Sequence, residues 1–569
     1  TDAPKFFLVT WFDQFIGSLI GLRWIIVPSY VVACGMLIWT VVSRVGVDIF
    51  PNTDAGEFRI RLRAQDGTHI DVTEKLATQV LDSVKESAGA NAVALSLGYV
   101  GTVPASFPIN AVYQFTRGPE EAILRIAFKP HSGINTEKLK SDLRTKFTSQ
   151  FPNARFSFEP SDIISDVMSF GSSTPVEIAV RGGSLAENKD FAKKAQEALK
   201  SNKRLRDVQI VQSLDYPTVD VRIDREKSGI AGATMDQVGR SVLAATSSSR
   251  FVVPNYWPDS KSGIGYQVQI EIPQMAMKSL SDLGTVPVLH RASSPLLLRD
   301  VAQISQSTMP GEFDRYNMKR ELSLTANLDG TDLGSISGEI SEIIDQVKKD
   351  DDAAKDLLVK AGEKPGRISY EIRGQIPPLR QMLSGLGVGL LLAILAIFLL
   401  LAANFQSFRL SAVAVSTAPA VVAGAACMLW LTGTTLNIQS FIGTIMGLGV
   451  AMANAILVVT FAEQRRKSGE DALKAARHGA TDRLRPVLMT SCAMLAGMLP
   501  MAIGIGDSGQ QTAPLGLAVI GSLLAATVST LFVLPAVFAW VQSSSSTKSV
   551  SLHPLDQDSA LYVDESINT

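Results

Sequence analysis

Asn454 is a carboxamide in the middle of GLGVAMANAILVVTFAE (447–463), where most neighbours are apolar. Hydrocarbon offers no water to satisfy such a group, so it must find a partner on another helix or take a place in a proton path. Proton coupling asks for more than an amide. It needs an ionisable group in the membrane whose charge changes during the cycle, and such groups are costly unless paired. The apolar stretches of this chain contain no titrating group suited to that task. Other chemistries find little footing: the sequence holds neither a phosphate-binding GxxxxGK[ST] loop nor a nucleophile motif. Cys34, Cys427 and Cys492 fall inside apolar stretches and read as packing thiols, and His69, His131, His290, His478 and His553 are scattered without ligand spacing. No enzyme activity, metal site or cofactor is expected.

The elements that must position Asn454 are membrane spans, each of which needs about 20 apolar residues. Residues 24–43 and 381–408 are free of charge, and 410–462 hold 53 residues without Asp, Glu, Lys, Arg or His. That long run fits two spans broken near 432–437, and 486–506 and 508–547 supply one each, for six in all. The first is too long for a signal peptide and is followed by Arg44. Residues 463–485 carry seven basic groups against four acidic ones, which places that connection in the cytoplasm. Counting outward puts both termini inside and the segment from about 46 to 379 outside. A net charge of -1 gives no basic stripe for nucleic acid.

The outer segment repeats a pattern. Residues 57–65 alternate as a strand, 72–87 have helical period, 92–100 and 121–129 are strands, 135–151 a helix and 154–160 a strand. The order βαββαβ is the split ferredoxin-like unit. It starts again at 175–182, 187–201 and 207–213, is interrupted, and is completed by 321–329, 335–349 and 367–373. The interruption holds helical pieces in DREKSGIAGATMDQVGRSVLAAT and strands such as 266–272. Residues 6–20, apolar and aromatic with one Asp, suit a helix on the inner membrane surface.

LAANFQSFRL (401–410), GLGVAMANAILVVTFAE (447–463), RLRPVLMTS (483–491) and DREKSGIAGATMDQVGRSVLAA (224–245) make the chain resemble the C-terminal half of a resistance-nodulation-division (RND) efflux transporter of the AcrB-like, hydrophobe/amphiphile type. The resemblance runs to about Val541. It implies an α-helical membrane domain of six spans with an α+β periplasmic domain. The latter would comprise two ferredoxin-like porter subdomains with a docking subdomain inserted in the second. Expected bounds are 1–23 for a cytoplasmic interfacial helix, 24–45 for the first span, 46–160 for the first porter subdomain, and 161–223 with 313–379 for the second. Docking is expected at 224–312, five spans at 380–542 and a disordered cytoplasmic tail at 543–569. The implied protein is a trimeric, proton-driven multidrug pump of the Gram-negative inner membrane. It would work in membrane lipid with a periplasmic adaptor and an outer-membrane channel, and move small amphiphilic molecules by a three-step rotation. Complete members have twelve spans and this chain begins with Thr, so it is expected to be a portion of a longer polypeptide or one product of a split gene, completed by an N-terminal RND half.

The resemblance also assigns residues. A family Lys on the tenth span is matched here by Ala453, so the acidic pair expected in the other half lacks its usual counter-charge. Arg483 matches a family Arg near the proton relay and Thr490 a family Thr within it. An Arg at a helix end also anchors to headgroups, and a membrane Thr also bonds its own helix. Gly443, Gly447 and Ala451, like Gly449 and Ala453, recur every four residues and are expected to pack on the other half. The segment 97–110 matches a switch loop lining the substrate channel, offering Tyr99 and Phe107. Phe251, Tyr256 and Trp257 are docking candidates. Heavy-metal export is the rival substrate class, but no Met occurs between Met36 and Met168, and one thioether is a poor site for a soft ion. A structural or regulatory subunit that moves no protons is the alternative from another class.

Overall fold

The structure is a computed structural model and describes residues 7–51, 56–89, 91–102, 116–129, 132–161, 167–169, 171–273, 276–290, 294–360, 366–504 and 509–543. Phe107 and the tail expected from 544 onward lie outside these residues.

Among the described residues six helices are long and apolar enough to cross a membrane. Helix α1 (Phe7–Gly21) precedes the first of them, α2 (Arg23–Val42). It buries Phe12, Ile16 and Ile20 in the core of the helical block. Asp13 on its polar face accepts a hydrogen bond from Arg477 Nε at 2.8 Å, which fixes α1 against a later helix.

The α+β part that follows α2 contains two units of the same strand order. In the first, β1 (Glu57–Arg63), α3 (Ile70–Ala88), β2 (Val93–Val100), β3 (Glu121–Phe128), α4 (Thr136–Gln150) and β4 (Arg155–Glu159) give an antiparallel sheet ordered β2-β3-β1-β4. Strand β1 alternates by the two-residue period of an extended chain. Phe58, Ile60 and Leu62 pack under Val80 and Val84 of α3 and Leu143 and Phe147 of α4. Arg59, Arg61 and Arg63 point the other way, and Glu159 receives Arg59 Nε at 2.8 Å and Arg61 Nε at 2.7 Å.

The second unit is β5 (Val176–Gly182), α5 (Leu185–Lys200), β6 (Leu205–Ile210), β14 (Lys319–Leu328), α8 (Leu333–Lys360) and β15 (Ser369–Gly374). Its order, β6-β14-β5-β15, repeats that of the first, with β13 (Asp314–Tyr316) sharing the β6 side of β14. The insertion leaves through β7 (Tyr216–Ile223) and returns through β12 (Ala302–Met309), paired antiparallel from Tyr216↔Met309 to Ile223↔Ala302. Between them lie α6 (Arg225–Ile230), α7 (Met235–Thr246) and the hairpin β8 (Asn255–Pro258) and β9 (Gly265–Val268), then single helical turns at Leu280–Gly284 and Leu298–Val301 around the short pair β10 (Pro287–Leu289) and β11 (Leu296–Leu297). The strand expected over 266–272 ends at Val268.

The units meet through polar groups. Asp207, with a left-handed φ of 52°, accepts bonds from Arg144 Nη2 at 3.1 Å, Phe158 N at 3.1 Å and Asn327 Nδ2 at 2.9 Å. Arg63 Nη1 donates to Val211 O at 2.7 Å.

Five further spans follow: α9 (Ile376–Phe405); α10 (Phe408–Val415) with α11 (Ala418–Leu431); α12 (Ile438–Lys467); α13 (Ala472–Ile503); and α14 (Gly509–Val528), continued by a π-helical turn Ser529–Val533 and α15 (Leu534–Gln542). The charged stretch 463–485 is therefore mostly helix, interrupted only at 468–471. Its charges do not mark where the helices end. Arg466 Nη2 and Glu463 Oε1 pair at 2.8 Å within one helix, and Arg465 bridges the turn to Glu470 at 3.1 Å and Asp482 at 2.7 Å.

Helix α14 lies against α11 and α12 with backbones nearly touching. A Cβ on Gly424 would sit 2.4 Å from Gly521 O, one on Gly521 2.4 Å from Gly424 O, and one on Gly443 2.5 Å from Leu515 O. Because the opposing atom is backbone, Gly521→Ala must push α11 away; we expect a loss of about 1–3 kcal/mol, the usual scale of overpacking, read as a lower unfolding midpoint of the purified chain in detergent. An unchanged midpoint would contradict this contact.

Candidate functional site

Helix α12 carries Asn454, and its start is well fixed: Asn437 Oδ1 accepts Ser440 N at 3.0 Å while Asn437 N donates to Ser440 Oγ at 2.9 Å. Asn454 is 5% exposed, and Thr490 Oγ1 of the antiparallel helix α13 lies 3.2 Å from its Oδ1. The same hydroxyl lies 3.1 Å from Pro486 O and 3.0 Å from Val487 O. A threonine has one hydrogen to donate, so three acceptors share it. Thr490 thus bonds its own helix and reaches Asn454 as well.

Seven residues back along α13, Arg483 stacks its guanidinium carbon 3.4 Å from the centroid of Phe461, itself seven residues beyond Asn454 on α12. Two rungs result, Asn454–Thr490 and Phe461–Arg483, about 10 Å apart by helical rise. Arg483 Nε is buried without a hydrogen bond, and Arg483 forms no ion pair among the described residues.

Ala453 is exposed on α12, in a stripe with Ile442, Met446, Gly449 and Leu457. The other small-residue stripe faces elsewhere, and this corrects the sequence reading. Gly443 and Gly447 pack on α14 of this same chain, a Cβ on Gly447 meeting Ser522 Cβ at 2.4 Å, and Ala451 is fully buried. Gly449 and Ala453 remain on the open face, with nothing within 4 Å of a Cβ at Gly449. Periodicity identified two stripes, but no sequence pattern says which neighbour each will meet.

Sequence reasoning also missed the hydroxyls around this site. Thr527 Oγ1 of α14 donates to Ser491 Oγ at 2.8 Å, so consecutive residues of α13 are held on opposite sides. Tyr30 of α2 donates to Ser416 O at 2.9 Å and accepts Ala420 N at 3.2 Å where α10 gives way to α11, which carries Pro419 in its first turn; Ser529 Oγ, at the π-helical turn, lies 3.3 Å from the tyrosine oxygen. Polar residues beside prolines in apolar stretches were the available signal.

The remaining candidates are far from this pair. Tyr99 is half-buried on β2, an edge strand, in register with Ile123. Phe251, Tyr256 and Trp257 are 63%, 66% and 55% exposed on the insertion, the last with its ring 6.2 Å from that of Tyr266. None is core packing of this chain. Met168 is half-buried against the core of the second unit.

Repeated α+β units, an insertion in the second and a six-span block with a mid-membrane polar pair define a transporter of the RND type. The AcrB/AcrD/AcrF family model matches residues 7–542, and the chain belongs to that family, whose members are secondary transporters of the inner membrane and not enzymes. The nickel-cobalt-cadmium resistance protein NccA of Alcaligenes xylosoxydans xylosoxydans is 28% identical over 480 residues, covering 82% of this chain and 42% of that protein. The toluene efflux pump membrane transporter TtgB of Pseudomonas putida (strain DOT-T1E) is 25% identical over 555 residues, covering 95% and 49%. The crystal structure of a heavy metal efflux pump (crystal form II) superposes with a TM-score of 0.77 at 23% identity, over 95% of this chain and 53% of that one, which establishes the fold. The chain spans about half the length of the curated relatives it matches.

Thr490→Val keeps the shape but removes the one donor that Asn454 Oδ1 has among the described residues. We expect about 1 kcal/mol of lost stability, with Thr490→Ser retaining most of it, measured by chemical unfolding in detergent.

Proposed function

We propose that this chain is the C-terminal half of an RND efflux permease that exports amphiphilic, drug-like molecules by proton antiport. In this reading the two α+β units are periplasmic porter subdomains and the insertion is a docking subdomain. The working pump is a trimer in the inner membrane, completed by an N-terminal half, a periplasmic adaptor and an outer-membrane channel. The observation that carries the proposal is the double rung on α12 and α13. A buried amide is bonded to a hydroxyl there, and two turns away an arginine lacks an ion pair among the described residues, beside the open face that holds Ala453. Arg483 supplies the counter-charge that the family draws from lysine, and carboxylates of the other half are its partners. Thr490 and Asn454 carry the hydrogen-bonded connection.

Tyr99, and Phe107 in the segment beyond it, would meet the cargo. The exposed ring cluster Phe251, Tyr256 and Trp257 would be covered by a neighbouring subunit or the channel, since an isolated two-stranded hairpin is marginal in water.

A heavy-metal cargo is the second reading, favoured by the names of relatives such as NccA. Against it, no group of three or more His, Cys, Asp or Glu among the described residues is arranged to hold a metal ion, and Met168 offers one half-buried thioether.

The test is resistance of cells whose pump contains this chain, scored against a panel of dyes and detergents and against nickel, cobalt and cadmium salts. We expect Arg483→Ala to abolish resistance to the organic panel at unchanged protein level, and Tyr99→Ala to change it for some compounds only. Resistance retained by Arg483→Ala removes that residue from coupling, and protection against the metals alone selects the second reading.

A further inference from the structure

An arginine near the end of a membrane helix ordinarily reaches for lipid headgroups or pairs with a carboxylate. Three arginines around the connection of α12 and α13 take the second course. Arg465 bonds Glu470 at 3.1 Å and Asp482 at 2.7 Å, Arg466 pairs with Glu463 at 2.8 Å, and Arg477 Nε donates to Asp13 at 2.8 Å. Arg483 is arranged differently. The carboxylates nearest to its stack in sequence, Asp482 and Glu463, are held by Arg465 and Arg466. Its guanidinium carbon lies 3.4 Å from the centroid of the Phe461 ring, and its Nε is buried without a hydrogen bond, which leaves the ring to meet the charge.

Phe461 is half-buried and continues the row of α12 formed by Gly449, Ala453 and Leu457, each four residues after the last and each of the three exposed. The ring therefore brings the cation to the open face of α12, about 12 Å by helical rise from Ala453. A guanidinium carries its N–H donors in its own plane, in a fork that matches a carboxylate. A ring against the flat face thus compensates the charge without using up a donor, and does so best where water is scarce. A leucine in its place would fill similar space and offer no such attraction.

We propose that Phe461 is the positioning residue of the coupling charge: its ring holds Arg483 flat against the open face of α12, with the N–H edge presented to a carboxylate of the completing half. The inference rests on the role of Arg483 proposed above and names what keeps the arginine in that place. A fixed cation lowers the pKa of a carboxyl beside it, and its departure raises that pKa. Freeing Arg483 to swing toward headgroups therefore moves the pH profile of transport upward, because the partner carboxyl then loses its proton only at higher pH.

The test is energised efflux from cells whose pump contains this chain, measured over a series of clamped cytoplasmic pH values, with ethidium or Co²⁺ as cargo, whichever the wild-type pump exports. Phe461→Leu removes the ring face and keeps the apolar bulk. We expect it to shift the profile upward by about one pH unit, the lower range for an opposite charge beside a carboxyl. Phe461→Trp supplies a stronger partner for a cation and should retain the wild-type profile. An unshifted profile in Phe461→Leu overturns the proposal, and so do rates lowered equally at every pH by both variants, which mark a packing role. If Phe461→Leu does not accumulate in the membrane, Phe461→Met, also apolar and without a ring, must show the same upward shift. Arg483→Ala that still exports overturns this inference together with the coupling role of Arg483. Arg483→Ala that fails, beside a Phe461→Leu pump with the wild-type profile, removes Phe461 alone.

Discussion

The membrane block depends on how closely α14 approaches its neighbours. Lipid tails are as apolar as the side chains they replace, so helices associate there by contact and hydrogen bonding and not by escape from water. Glycines 424, 443, 447 and 521 let α11 and α12 come within backbone contact of α14. The position of α12 follows from that contact, and with it the depth and direction of Asn454. Helix α13 is then fixed from both sides, by Thr490 toward α12 and by Ser491 toward α14. The polar pair is thus held by a dry scaffold that does no chemistry of its own.

The α+β part uses the opposite means. Each unit has a fully apolar core of its own, whereas the surface between units is lined by Arg59, Arg61, Arg63, Glu159 and Asp207. Arg144 and Asp207, which pair across the units at 3.1 Å, recover hydration when they separate, so such a surface resists opening less than an apolar one of equal area. Asp207 holds a backbone conformation that non-glycine residues seldom adopt, and at that position its carboxylate gathers donors from a helix and a strand of one unit and a strand of the other.

Much of this was readable before any coordinates. Six charge-free runs give the spans, and strand and helix periods give both α+β units and the place of the insertion, because burial imposes those periods directly. The ends of α12 and α13 were not readable: Arg465, Arg466 and Arg477 look like loop charges until their partners Glu470, Glu463 and Asp13 are seen across a turn or on another helix. Asn454 announced itself as an amide in need of a partner, but only the fold and the family pattern point to Thr490, 36 residues away. Asp48 gave no signal at all. It stands beside a span like any boundary residue, and it is 7% exposed because distant segments close over it: its N–H donates to Leu436 O at 3.1 Å and its Oδ1 accepts Leu333 N at 3.0 Å.

That closure has a mechanical side. Val47 pairs with Leu436, Gly334 N bonds Val47 O at 2.8 Å, and a Cβ on Gly334 would lie 2.7 Å from Val47 Cβ. The exit of α2, the connection between α11 and α12 and the root of α8 are therefore one rigid joint. A tilt of α2 or of the connection between α11 and α12 would turn the start of the long helix α8 with it, since three short stretches of backbone tie them together.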